Sequence, residues 1–449
     1  MSPNLVQSKL IGLWAIGSTL ATIFFVPILL SGQVDVLGDK RYVIEYEEEE
    51  VVIPIFSSHV LTTTDSSIES VIVVVHGTLR NADDYFDHMV EARSMRPQKV
   101  DKIAIIAPQF LTKEDIESFQ LEENYPYWSV NGWASGSTSR NEDGTINPLR
   151  VSSFEILDSL IADLPMVFPA LKHLVFTGHS AGGRLTNRYC ASSPIFDLLC
   201  DDFQISSKFI IANSNTFVYM TKERHVPGSA YQFDEMDTGC ENFNNWSFGL
   251  DNLFVYPNRI GAARIREQYR SREVVYLLGS EDNDPDDLSS SCAGNAQGFN
   301  RFERGRTYYE HIIDVFGEDI RPLHRMIIVP GVGHDHRRMY LSEQGLSELF
   351  DMPPSSSCMN QTTSIVDPLS NAYTIYPNPA TEYITLFDED YSNREKSIVV
   401  FDVQGTRQLE ISTRGNVSTV INLEKLDSGI YFIRINLGKA TITKRFIKL

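Results

Sequence analysis

Gly178-His179-Ser180-Ala181-Gly182 sets a serine between two glycines. It lies directly after the apolar run Leu174-Val175-Phe176-Thr177 and directly before Arg184-Leu185-Thr186-Asn187-Arg188-Tyr189, which suits a helix. Strand, tight turn and helix in that order leave no room for side chains beside the serine, and Gly178 and Gly182 carry none. Such a turn presents the Ser180 hydroxyl at the carboxyl end of a sheet and the amino end of a helix, where backbone N–H groups favour developing negative charge. The chemistry this suits is nucleophilic attack on an acyl carbon. A serine hydroxyl at its free pKa is a poor nucleophile, so an imidazole must take its proton and a carboxylate must hold that imidazole in one tautomer.

Two later strand ends offer those groups. Glu273-Val274-Val275-Tyr276-Leu277-Leu278-Gly279 leads into an acidic loop in which Asp282 stands three residues past Gly279. Arg325-Met326-Ile327-Ile328-Val329-Pro330 leads through Gly331-Val332-Gly333 into His334. Ser180, Asp282 and His334 are the predicted constellation, with Asp284 the runner-up for the acid and His336 the fallback for the base. Glu281, Asp286 and Asp287 read as solvated loop charges, and His179 as packing. A fourth strand end, Ser70 to Val75, runs into His76-Gly77-Thr78, and the backbone N–H groups of Thr78 and Ala181 are the predicted oxyanion donors. His76 itself reads as a turn-packing residue.

The elements that must position these residues follow from periodicity. The runs Ser70 to Val75, Lys102 to Pro108, Leu174 to Phe176, Lys208 to Asn213, Glu273 to Gly279 and Arg325 to Pro330 read as strands, the first two as buried strands of a parallel sheet. Helical spacing at Ala82 to Ser94, Ser152 to Phe168, Gly298 to Phe316 and Arg337 to Phe350 alternates with them. Alternation from Arg41 to Tyr46 predicts edge strands with one wet face, and Glu45 to Glu50 a solvated acidic surface. The fold class is therefore α/β, a doubly wound, mostly parallel sheet. Beyond a polar linker at 352–371, short strands separated by turns from 372 to 449 predict a small all-β sandwich.

Two irregular segments are rich in aromatics. Gln109 to Leu149 carries Tyr127, Trp128 and Trp133, and an insert at about 217–270 carries Trp246. These four are the predicted substrate-pocket residues, with the first segment as a pocket wall. Padding of the sheet edge is the alternative for the first segment.

The chain has 449 residues, enough for two or three domains, and a formal net charge of −20, which argues against nucleic acid or an anionic membrane surface as a partner. Lys9 followed by an uncharged run from Leu10 to Leu30 predicts an export signal over 1–33. The run is close to membrane-spanning length and lacks an Ala-x-Ala-like site, so a retained anchor is the alternative, and the one route to a membrane. Five cysteines in an exported chain suggest up to two disulfides. Cys190 with Cys200 is the first expected pair and Cys240 with Cys292 the second, leaving Cys358, though connectivity stays open. No clustered His/Cys spacing predicts a metal, and the chemistry needs no cofactor.

On Gly178-His179-Ser180-Ala181-Gly182, His76-Gly77, Gly279-Ser280-Glu281-Asp282 and Gly333-His334, residues 70 to about 350 resemble the α/β-hydrolase superfamily, within an expected catalytic domain over 34–351. The resemblance implies a serine hydrolase, with the nucleophile, acid and base in this chain order, and implies a cap in the insert. It is weak for substrate. Carboxylic esters, small or polymeric, are the expected substrates; a peptidase of the same fold, or a non-catalytic surface-binding module, is the alternative. On Ile375-Tyr376-Pro377-Asn378-Pro379-Ala380, Phe401-Asp402-Val403-Gln404-Gly405, Leu426 to Ile435 and Lys444 to Leu449, residues 372–449 resemble the sorting domain of the type IX secretion system. That implies engagement of the secretion machinery, and secretion or attachment to the outer cell surface.

Overall fold

Alternation along a strand decides which side of a sheet each residue serves. In the computed structural model, Val71, Val73 and Val75 enter one apolar cluster while Ile72 and Val74 enter another, on the opposite face. The structure describes residues 34–46, 49–147, 150–235, 239–285, 288–354, 373–376, 380–388, 395–402, 406–414, 418–427, 429–436 and 441–448. The expected export signal, most of the linker, Cys358 and parts of the sorting motifs lie outside these residues.

The strands of the first domain are Lys40–Tyr46 (β1), Glu49–Ser57 (β2), Ser70–Val75 (β3), Ile103–Pro108 (β4), His173–His179 (β5), Ser206–Ala212 (β6), Glu223–His225 (β7), Phe233–Glu235 (β8), Glu273–Gly279 (β9) and His324–Val329 (β10). Eight form one sheet in the order β1-β2-β4-β3-β5-β6-β9-β10. β1 and β2 are antiparallel additions at one edge, and the six strands from β4 to β10 run parallel. The alternation read for β1 holds: Tyr42, Ile44 and Tyr46 are buried while Val43 is exposed.

The helices are Ala82–Ser94 (α1), Lys113–Phe119 (α2), Ser153–Val167 (α3), Ala181–Ser192 (α4), Ile195–Phe203 (α5), Val255–Ile260 (α6), Ala262–Ser271 (α7), Cys292–Asn295 (α8), Arg301–Phe316 (α9), His336–Leu341 (α10) and Glu343–Leu346 (α11). Helix α1 buries Ala82, Tyr85, Met89 and Ala92, a stripe at helical spacing, and shares its face of the sheet with α10 and α11. Helices α3, α4, α5, α7 and α9 cover the other face. Caps move two predicted boundaries. Asn300 accepts from the Glu303 amide, so α9 starts after Gly298, and Ser342 accepts from Gly345, which divides the last helical stretch in two.

The insert after β6 is a folded layer. Phe217, Val218, Tyr219 and Met220 are fully buried, the β7–β8 hairpin follows, and Cys240 is disulfide-bonded to Cys292. The other expected disulfide does not form. Cys190 is free and faces the core beneath α4, whereas Cys200, on a partly exposed face of α5, is disulfide-bonded elsewhere.

The second domain has strands Tyr373–Tyr376 (β11), Tyr383–Asp388 (β12), Glu395–Asp402 (β13), Arg407–Arg414 (β14), Ser418–Asn422 (β15), Gly429–Asn436 (β16) and Thr441–Lys448 (β17). They form sheets β11-β12-β15 and β14-β13-β16-β17 around one apolar core that includes Ile384, Ile398, Ile421, Ile433 and Phe446. β14 is an edge strand of mostly polar sequence, which is why periodicity did not single it out. Among the described residues, no helix is long and apolar enough to cross a membrane.

Helix α3 carries Asp158, whose carboxylate accepts from Tyr189 and Ser193 at 2.7 Å and from Tyr256 at 2.5 Å. Burial outweighs these bonds and pushes its pKa up to about 6. A carboxyl that holds its proton longer in the folded chain than in the unfolded one loses stability as pH rises between the two values. The wild-type chain should therefore lose up to about 3 kcal/mol relative to D158N between pH 4 and pH 6. Thermal unfolding of both chains across that range checks this; a constant gap between them refutes it.

Candidate active site

Ser180 occupies a backbone conformation that side chains rarely adopt, φ 59° and ψ −116°, at the junction of β5 and α4. The two glycines make that junction possible. A Cβ at Gly182 would overlap the Val75 carbonyl oxygen and stand 2.7 Å from that of His76, and one at Gly178 would stand 2.8 Å from the Gly182 Cα. The Ser180 amide donates to the Ala212 carbonyl at 3.1 Å, which fixes the turn to the neighbouring strand.

The loops after β9 and β10 bring the other two predicted groups to this serine. His334 Nε2 lies 2.9 Å from Ser180 Oγ, and His334 Nδ1 lies 2.8 Å from Asp282 Oδ2. Asp282 is buried, while the His334 side chain keeps 32% of its surface exposed. The loops are stitched together: the Glu281 amide donates to the Val332 carbonyl at 2.9 Å and the Gly331 amide to Ser280 Oγ at 2.8 Å. Asp284, the runner-up acid, is exposed to solvent. His336, the fallback base, instead pairs with His88 at 2.9 Å and stacks on Tyr85, and burial lowers its pKa to about 4.

Thr78 lies in the turn after β3, and Ala181 is the first residue of α4. Neither amide has a backbone partner among the described residues, so both are free to meet an oxyanion. Two residues that sequence reasoning did not use hold that turn. Arg80 pairs with the buried Asp115 through Nε at 2.8 Å and Nη2 at 3.1 Å, and its Nη1 donates to the Thr78 carbonyl at 3.1 Å. Asp115 is signalled by the Thr112-x-x-Asp115 capping box of α2; its link to Arg80 is not. His76 packs the turn as expected: its Nε2 accepts from the Phe110 amide at 3.0 Å, and burial lowers its pKa to about 4. A third unanticipated residue is Arg301, whose Nη1 stands 3.6 Å from the second oxygen of Asp282.

The predicted pocket aromatics sit in the core instead of forming an open wall. Trp128 donates its indole N–H to the Ser137 carbonyl and Trp246 to that of Ser135. Trp133 is fully buried between Phe110 and His76, and Tyr127 is buried as well. Large, mostly apolar rings gain more from complete burial than from half-exposure, and glycine-rich loops fold around them. A depression lined by Lys222, Leu250, Asp251, Asn252, Leu253 and Asn258 lies on the insert and includes none of Ser180, Asp282 and His334. Among the described residues, no group of His, Cys, Asp or Glu is arranged to hold a metal ion.

Residues 374–449 match the family model described as a secretion system C-terminal sorting domain. The second domain is a sorting domain. It marks the chain for export to the cell surface or the extracellular space. No curated protein matches the chain. Among solved structures, the chain is similar to the poly(3-hydroxybutyrate) depolymerase LpqC of Bordetella parapertussis, at 21% identity over 72% of this chain and 93% of that one, with a TM-score of 0.47. It is also similar to the siderophore hydrolase EstB of Aspergillus nidulans, at 13% identity over 70% and 96% of the chains, with a TM-score of 0.37. A Bacteroides vulgatus protein with an immunoglobulin-like β-sandwich fold matches 17% of this chain and 85% of its own, at 17% identity and a TM-score of 0.16. Sheet order and the sorting domain together describe an exported chain with an α/β-hydrolase fold.

The elbow yields a sharp expectation. In G182A the added methyl group meets the backbone carbonyls of Val75 and His76, which cannot withdraw, so stability should fall by about 3 kcal/mol or more. Soluble yield and thermal unfolding measure it; an unchanged unfolding midpoint would show that the turn is not the tight junction described.

Proposed function

We propose that the chain is an exported serine hydrolase that cleaves carboxylic esters through an acyl-enzyme. The observation that carries this reading is the continuous hydrogen-bonded line from Ser180 Oγ through the His334 ring to Asp282. Ser180 Oγ attacks the ester carbonyl carbon while His334 Nε2 accepts its proton. Asp282 fixes the tautomer with the proton on Nδ1 and stabilises the imidazolium that forms. The carbonyl π electrons move onto oxygen, and the N–H groups of Thr78 and Ala181 receive that charge. Collapse expels the alcohol, which takes the proton from His334 and leaves an ester on Ser180. Water then repeats the sequence with His334 again as base, releasing the carboxylic acid and restoring the serine.

The division of exposure supports the assignment. The acid is buried, where its charge orients the ring without competition from water, and the base and nucleophile are open to a substrate. Cys190 is no rival nucleophile: it is buried, and burial raises its pKa well above the ordinary thiol value.

Hydrolysis of p-nitrophenyl esters of graded acyl length by the full chain tests the proposal. Activity is expected in the wild type, with S180A and H334A lowered by about 10³-fold or more in kcat. D282N should lose activity on a comparable scale. A fluorophosphonate should label the wild type and spare S180A. Retained activity in S180A would sink the assignment, and turnover of peptides with none of esters would replace the ester reading by the peptidase one.

A further inference from the structure

Resting on the serine-hydrolase reading, we infer that Asn213 is a positioning residue that joins the loops carrying the acid, the base and the nucleophile. It stands just beyond the carboxyl end of β6, in the middle of the parallel sheet, and is 1% exposed. Its Oδ1 accepts from the Gly279 amide at 2.8 Å, three residues before Asp282. Its Nδ2 donates to the Gly333 carbonyl at 3.1 Å, one residue before His334. The same Nδ2 lies 3.3 Å from Nε2 of His179, the residue before Ser180.

A primary amide is the group these partners require. Gly279 offers an N–H and needs an oxygen; Gly333 offers an oxygen and needs a donor; so only one orientation of the amide fits. The two N–H bonds of Nδ2 then go to Gly333 and to the lone pair of His179 Nε2, which places the His179 proton on Nδ1, 3.4 Å from the Tyr85 hydroxyl. Burial lowers the His179 pKa and keeps that ring neutral, as an acceptor must be. Aspartate would turn an oxygen on the Gly333 carbonyl and on the His179 lone pair. The backbone agrees: Asn213 has φ 42°, a conformation that asparagine, aspartate and glycine tolerate better than other residues, and its amide donates to the Leu277 carbonyl at 3.1 Å. Asn213 touches no reacting atom. Its effect is to keep Gly279 and Gly333 at one separation, and through them the Asp282 carboxylate and His334 ring in line with Ser180.

The left-handed φ dictates the test. N213G keeps the backbone conformation and removes only the side chain, whereas N213D keeps the bond to Gly279 and loses the donor. With p-nitrophenyl butyrate and the full chain, N213G should lose about 10- to 100-fold in kcat with KM within about twofold, because small misplacements of reacting groups act on the chemical step. N213D, whose second oxygen faces two acceptors, should also fall clearly below wild type, and fluorophosphonate labelling of Ser180 should slow in both variants. Should N213G fail to fold, N213D carries the test alone. Wild-type kcat and labelling rate in folded variants overturn the assignment, as does a rise in KM at constant kcat. A wild-type chain that neither turns over esters nor takes the label overturns the serine-hydrolase reading itself, and this inference with it.

Discussion

The strained turn at Ser180 is the constraint on which the rest of the molecule depends. A serine at φ 59° is unfavourable by itself, and it persists only because strand β5 and helix α4 are held in contact on both sides of it. That contact requires glycine at 178 and 182 and a neighbouring strand whose carbonyls approach within van der Waals reach. It also requires a sheet stiff enough not to relax. Six parallel strands with helices on both faces meet that requirement, since each interior strand is locked by ladders on two sides and by packing above and below.

The same architecture explains why the residues of the proposed site collect at one edge. In a parallel sheet every strand ends in the same direction, so the loops after β3, β5, β6, β9 and β10 emerge together. Those loops carry the Thr78 turn, Ser180, Asn213, and the proposed acid and base, Asp282 and His334. Close approach of the last two is again a matter of backbone: a Cβ at Gly279 would overlap the Val332 carbonyl oxygen and stand 3.1 Å from that of Gly333. The Asp282 and His334 loops are therefore joined as one unit, with amide hydrogen bonds in both directions between them.

Much of this was legible because the relevant signals are local. Ser180, Asp282 and His334 each follow an apolar run within a few residues, so a strand end and a chemical group can be read together. The two-sided burial of β3 and the wet edge of β1 are likewise written in single strands. What escaped the sequence is relational. Nothing in Trp128, Trp133 or Trp246 tells whether a ring faces a cleft or the core; that depends on partners such as Phe110 and the Ser135 and Ser137 carbonyls. Short spacing suggested Cys190 with Cys200, but Cys190 faces the core from α4 while Cys200 lies on the partly exposed face of α5. Arg80 with Asp115, and Arg301 with Asp282, are pairs whose members are unremarkable alone.

Burial also sets His334 apart from the histidines around it. His179, His334 and His336 crowd within a few ångströms, with ring centroids 4.5 Å apart for the first pair and 6.0 Å for His179 and His336. His179 is enclosed between Tyr85 and Asn213, and His336 between Tyr85 and His88; desolvation lowers the pKa of both. Neutral, bonded rings of this kind stiffen the floor of the site without competing for a proton at neutral pH. Of the three, His334 combines solvent access with a carboxylate on one nitrogen and a hydroxyl on the other. The proposed choice of His334 as base from a cluster of imidazoles thus rests on which rings the sheet and α1 enclose, and a position two residues along the chain is enough to change a ring's surroundings.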